Sequence, residues 1–116
     1  DGLDLPIVHT TREFYLLLYQ TGKKLPKRDR FGLWADIEKL CREILIGLIE
    51  AGFSPKIQKG VILERVRAKI ELEKHLIRLA HELKIITDEL NLELQKSLQK
   101  ISKMANGWLK YTQNPA

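Results

Sequence analysis

VILERVRAKIELEKHLIRLAHELKII, residues 61–86, contains no proline or glycine and is long enough for about seven helical turns. At about 100° per residue its apolar side chains fall into two stripes on roughly opposite sides. One holds Leu63, Val66, Ile70, Ile77 and Ala80, the other Ala68, Leu72, Leu76, Leu79, Leu83 and Ile86. A helix that forms one wall of a small bundle needs a single stripe, so two predict burial on both sides. Between them Glu64, Arg67, Glu71, Lys74, Arg78 and Glu82, three acids and three bases, sit three or four residues apart, the spacing of a solvated ladder of ion pairs. The stretch therefore predicts an all-α protein that self-assembles and acts through a surface.

Outward from this helix, the chain reads as one domain over residues 1–116, an up-down-up-down four-helix bundle with short connections. DGLDLP is an irregular lead-in, and a first helix spans about 7–20, with Val8, Thr11, Phe14, Tyr15, Leu17 and Leu18 inward and Gly22 as its stop. A second helix is expected from Lys27 or Asp29 to Ala51, built on Leu33, Ile37, Leu40, Ile44 and Leu48 and flanked by Trp34, Cys41 and Leu45, with Gly52 as a left-handed cap. Its end, ILIGLI, is apolar nearly all round. We assign its outward Ile46 and Ile49 to an oligomer interface, together with Leu63, Val66, Ile70 and Ile77 of the third helix; the spacing alone leaves open which of that helix's two stripes meets the neighbour. Ser54 before Pro55 is the expected N-cap of the third helix, and Thr87 that of a fourth, about 88–111. Leu90, Leu94, Leu98, Ile101, Ala105 and Trp108 form the core stripe of this last helix.

Hydrophobic content of 44% and charged content of 30% fit a folded globular protein. No apolar run approaches the ~20 residues of a membrane span, and nothing resembling a secretory signal pattern opens the sequence. The single cysteine, Cys41, has no internal disulfide partner, and a small buried side chain in a reducing cytoplasm is expected. The net charge of +5 is unevenly placed. Lys23, Lys24, Lys27, Arg28 and Arg30 are opposed locally by Asp29 alone, and after Glu93 the chain carries Lys96, Lys100, Lys103 and Lys110 with no acid. The last four share a stripe offset by two residues from the core stripe, so they project outward. Two basic segments in a balanced protein point to an anionic partner. Phosphate recognition needs only cations at the right reach, whereas the few aromatics lie mostly in core phase and base stacking is not expected to contribute much.

Chemistry is sparse. A carboxylate-bridged metal bundle needs Glu three residues before His, but Leu72 precedes His75 and Arg78 precedes His81 at that spacing. The zinc-protease motif fails at Ile85. Gly22-Lys23 lacks the rest of a phosphate loop, and no serine sits in a nucleophile-elbow context. We expect neither an enzyme nor a bound metal or cofactor.

Leu5-Pro6-Ile7, the turn LPKRDRFGL over 25–33, and NGWLK over 106–110 together resemble a four-helix-bundle family. It includes proteins encoded in bacterial ribosomal-RNA intervening sequences and the accessory variability determinant of diversity-generating retroelements. The resemblance spans essentially the whole chain; its best marks are Pro26-Lys27 with Arg30-Phe31, and Gly107-Trp108-Leu109-Lys110. It implies a homopentameric barrel with a basic surface. In the retroelement members, such a barrel binds RNA or DNA and partners the reverse transcriptase that copies a template RNA into mutagenised cDNA. By position, the resemblance carries Lys27, Arg30 and Lys110 as basic surface residues, while Lys96, Lys100 and Lys103 come from spacing alone. The intervening-sequence type, a self-assembling bundle with a structural role, stays open.

Overall fold

A computed structural model describes residues 5–114. Four long helices, α1 (Pro6–Gly22), α3 (Leu33–Phe53), α4 (Lys56–Glu82) and α5 (Asp88–Gln113), pack with a short α2 (Lys27–Arg30) into a rod of 50 × 20 × 19 Å. No strand occurs among the described residues. Each long helix runs antiparallel to its chain neighbour, and α5 closes the ring against α1, leaving α3 and α5 on a diagonal. The expected up-down-up-down bundle is present. Of the expected lead-in, residues 1–4 lie outside the described region; Leu5 is the N-cap of α1 and Pro6 its first residue.

The core follows a three-four spacing on the two longest walls. On α3 the buried positions are Trp34, Ile37, Cys41, Ile44, Leu48 and Ala51; on α4 they are Leu63, Val66, Ile70, Glu73, Ile77 and Ala80. Matching heptad rows on antiparallel helices pack with a shallow crossing angle. Gly47 allows the close approach, since a Cβ there would lie 2.7 Å from Val66 Cγ2. The α3 row is rotated from the expected one: Trp34 and Cys41 are fully buried members of it, while Leu33 and Leu40 are half-buried flanks. The cause is the Trp34 indole, fully buried and donating from Nε1 to the Leu18 carbonyl at 2.8 Å. On α5 the last inward residue is Leu109, and Trp108 is half-buried, turned toward Leu5, Pro6 and Ile7 with the Lys59 ammonium 5.8 Å from its ring.

Several boundaries differ from expectation. The second helix is broken at Phe31-Gly32 into α2 and α3. Gly32 makes the corner possible, because a Cβ there would stand 2.6 Å from the backbone oxygen of Arg28. The third helix begins at Lys56, five residues before Val61, and absorbs Gly60. Ser54 is the C-cap of α3, not the N-cap of α4: its Oγ donates to the Glu50 carbonyl at 2.8 Å. Gly52 lies inside α3 with no left-handed backbone. Instead the exposed C-terminal carbonyls of that helix are met by Lys59 Nζ, 2.6 Å from the Ala51 oxygen.

The α4–α5 turn is the tightest connection. α4 ends at Glu82, and Lys84 adopts φ 61, the left-handed region. Its N–H donates to His81 O and that of Ile85 to Ala80 O, each at 2.9 Å, the paired closure in which glycine is usual. Thr87 then caps α5, its Oγ1 accepting from Leu90 N at 3.1 Å, as its sequence context predicts. His81 Nε2 and Asp88 Oδ1, 2.6 Å apart, tie the turn across the outside. A lysine in the left-handed region carries a steric penalty that glycine does not. Lys84→Gly is expected to raise stability by about 1 kcal/mol, read as a higher urea midpoint; an unchanged or lower midpoint contradicts that account of the turn.

Candidate nucleic-acid and assembly surfaces

The first basic segment is placed by the corner. Lys23 and Lys24 follow the end of α1, and Lys27, Arg28 and Arg30 are carried on α2, whose residues are all at least partly exposed. Among the described residues Lys23, Lys24, Lys27 and Arg28 make no ion pair, and Arg30 lies 5.3 Å from the centre of the Phe31 ring. The second segment is built differently. Lys96, Lys100, Lys103 and Lys110 are all exposed on the outward side of α5, opposite the buried Leu94, Leu98, Ile101, Ala105 and Leu109. Lys96, Lys100 and Lys103 edge a shallow groove of about 330 Å³ with Gln99 and Met104. None of the four is paired with an acid among the described residues. Gly107 continues their spacing, and a Cβ there would meet nothing within 4 Å.

The two segments do not merge. The corner rests on α3, and the lysine row lies on α5, diagonal to it. At 1.5 Å per residue, Lys96 is about 12 Å and Lys110 about 33 Å along α5 from its start at the corner end. Two pairs of the ladder on α4 form as its spacing predicts, with Arg67 Nη1 3.4 Å from Glu64 Oε1 and Lys74 Nζ 2.9 Å from Glu71 Oε2, while Arg78 and Glu82 make no ion pair among the described residues.

The assembly residues require a correction. Leu63, Val66, Ile70 and Ile77 are 0–2% exposed in the single chain and form the protomer's own core. Side chains already enclosed by α3 and α5 have no surface to offer a neighbour. The other stripe faces outward: Leu72 is 56% and Leu83 59% exposed, and Ile57 and Val61 extend the same face toward the start of α4. Leu76 and Ile86 of that stripe turn partly inward. On α3, Ile46 is exposed and Ile49 is half-buried against the core. Large apolar side chains left exposed along one face of a helix are the kind of surface on which an interaction face is built.

Sequence reasoning missed three features. Lys59 gave no signal of its capping role, because its carbonyl partners come from a different helix. Tyr15, Tyr19 and Phe31, read as core phase or passed over, are partly or largely exposed. Glu73 occupies a core position with both carboxyl oxygens buried and unpartnered. Burial pushes its pKa up to about 9, so it is held protonated at neutral pH. The neighbouring Cys41 thiol is pushed up first by burial and then by Glu73.

The structure is that of an all-helical bundle with unpaired cation rows, an outward apolar helix face and, among the described residues, no cluster of metal-ligating side chains. The family comparison names the group: residues 5–112 match the bAvd-like family model, and the chain belongs to that family. No curated protein and no solved structure matches the chain. Among the described residues no helix is long and apolar enough to cross a membrane.

Proposed function

We propose that this protein is a non-enzymatic accessory factor of a diversity-generating retroelement, a homopentamer that binds template RNA or cDNA through phosphate contacts and partners the reverse transcriptase in mutagenic retrohoming. The observation that carries the reading is the acid-free row Lys96, Lys100, Lys103 and Lys110 on a rigid helix, alongside membership of the bAvd-like family. Ammonium groups in fixed positions displace condensed counterions from a phosphate backbone, which gives affinity without reading sequence. The corner cations Lys23, Lys24, Lys27, Arg28 and Arg30 supply a second patch. A ring repeats both patches around its axis and so turns weak contacts into multivalent ones. Ring closure uses two different faces of each subunit; the outward stripe of α4, with Ile46 beside it, is the face we assign to one side of that contact.

Replacing Lys96, Lys100 and Lys103 together by Gln removes three phosphate contacts without touching the core. Binding to a structured RNA is expected to weaken, and the slope of log affinity against log salt to fall by about 2 to 3. The helical signal and urea midpoint should stay at wild-type values. Unaltered affinity and slope in this variant would remove the row from the binding surface. A protein that assembles but binds no nucleic acid at low salt would be the self-assembling structural bundle instead.

A further inference from the structure

The seam between α1 and α3 carries an arrangement that phosphate binding alone does not use. Tyr15 and Tyr19 stand one turn apart on α1 with ring centres 6.4 Å apart and planes tilted by 35°. Arg42 of α3 lies 5.8 Å from the centre of the Tyr15 ring, and its Nη1 donates to the Tyr15 hydroxyl at 2.9 Å. At the corner, Phe31 is 69% exposed with the Arg30 guanidinium 5.3 Å from its ring centre, and Tyr19 is 46% exposed. Glu38 connects the two ends. Its carboxylate overlies Gly22, where a Cβ would stand 2.8 Å from Oε2, and it feels the charges of both Arg42 and Arg30. One seam thus holds two exposed rings, Tyr19 and Phe31, with one guanidinium beside Phe31 and another beside the half-buried Tyr15 that neighbours Tyr19, and runs up to Lys23, Lys24 and Lys27.

Exposed aromatics cost solubility and gain nothing from a duplex, whose base faces are stacked on each other. Against an unpaired strand each ring offers a stacking partner, guanidinium planes add to it, and flanking ammonium groups hold the backbone. From Phe31 to Arg42 the seam follows about nine residues of α3, about 14 Å at the helical rise, room for a few nucleotides.

We propose that Tyr19 and Phe31, supported by Tyr15, Arg42 and Arg30, form a platform for unpaired bases, so that this seam takes single-stranded RNA or DNA in preference to duplex. The proposal rests on the nucleic-acid reading above and adds the strand form and the residues that select it.

The test compares binding of a labelled short oligo(dT) and a duplex of the same length by fluorescence anisotropy at low salt, for the full chain and for Tyr19→Leu/Phe31→Leu. Leucine keeps apolar bulk and removes the ring. The wild type is expected to favour the single strand, and the variant to lose about tenfold or more of that affinity, with duplex affinity and solution mass unchanged. Undiminished oligo(dT) binding by the variant overturns the platform and leaves phosphate binding intact. A fall in solution mass overturns it too, by making these rings assembly contacts. Failure of the wild type to bind either oligonucleotide overturns the platform and the nucleic-acid reading together.

Discussion

Replacing Glu73 by leucine is expected to stabilise this protein by about 3 kcal/mol at pH 7, with a gain that grows as the pH rises. Glu73 lies between Ile70 and Ile77 in the buried row of α4, fully enclosed, with neither carboxyl oxygen hydrogen-bonded. The pairing of Lys69 with Glu43 at 3.3 Å, and the contact of Gly47 with Val66, set an antiparallel register that brings Cys41 opposite it. Nothing there compensates an anion. The folded chain holds the Glu73 proton to about pH 9, against an ordinary value of 4.5 that the unfolded chain retains. The folded state therefore binds more protons throughout that window. Stability is fully present below about pH 4.5 and falls as the pH rises toward 9, by about 1.4 kcal/mol per pH unit. Urea unfolding across this range reads the effect: the wild type should lose stability with pH and Glu73→Leu should be nearly flat. Glu73→Gln should also be flat, but less stable than the leucine variant because its amide stays unsatisfied. A wild-type curve as flat as that of the variants would contradict a buried, protonated Glu73.

The second large effect separates the two stripes of α4. Ile70→Ala or Ile77→Ala opens a cavity in a fully enclosed core and is expected to cost about 2–5 kcal/mol. Leu72→Gln/Leu79→Gln/Leu83→Gln alters side chains that are 42–59% exposed. The protomer should keep its helical signal and core while its solution mass falls to that of smaller species. The stripe that the sequence reading gave to the neighbour and the stripe that the structure exposes predict opposite outcomes. If the triple variant unfolds, or assembles as the wild type does, the outward stripe is not an interface.

The helices and their order were legible because periodicity reports burial directly. The three-four pattern on α5 identified Leu94, Leu98, Ile101 and Ala105 as inward, and the lysine row followed from the same geometry. Which stripe of α4 faces inward was not legible, because both are apolar and the choice depends on where α3 and α5 lie. Glu73 added to the ambiguity: it is a charged letter at a core position, and it interrupts the buried stripe at its centre. Trp34 shows the same limit on α3, where a hydrogen bond to Leu18 on α1 rotates the core row relative to the leucine pattern. The break at Gly32 depends on the approach of the Arg28 backbone, which no local spacing encodes. The basic corner was visible as composition. Its aromatic neighbours were not, because exposure of Tyr19 and Phe31 is decided by the corner itself.

The proposed function has a basic, self-assembled bundle bind nucleic acid through phosphate contacts. Its most direct test is the affinity of the purified protein for a structured RNA across a salt series, with solution mass determined in the same buffers. A pentamer that binds at micromolar concentration or tighter and weakens steeply as salt rises is expected. An assembled protein that shows no binding at low salt, or binding indifferent to salt, would contradict it.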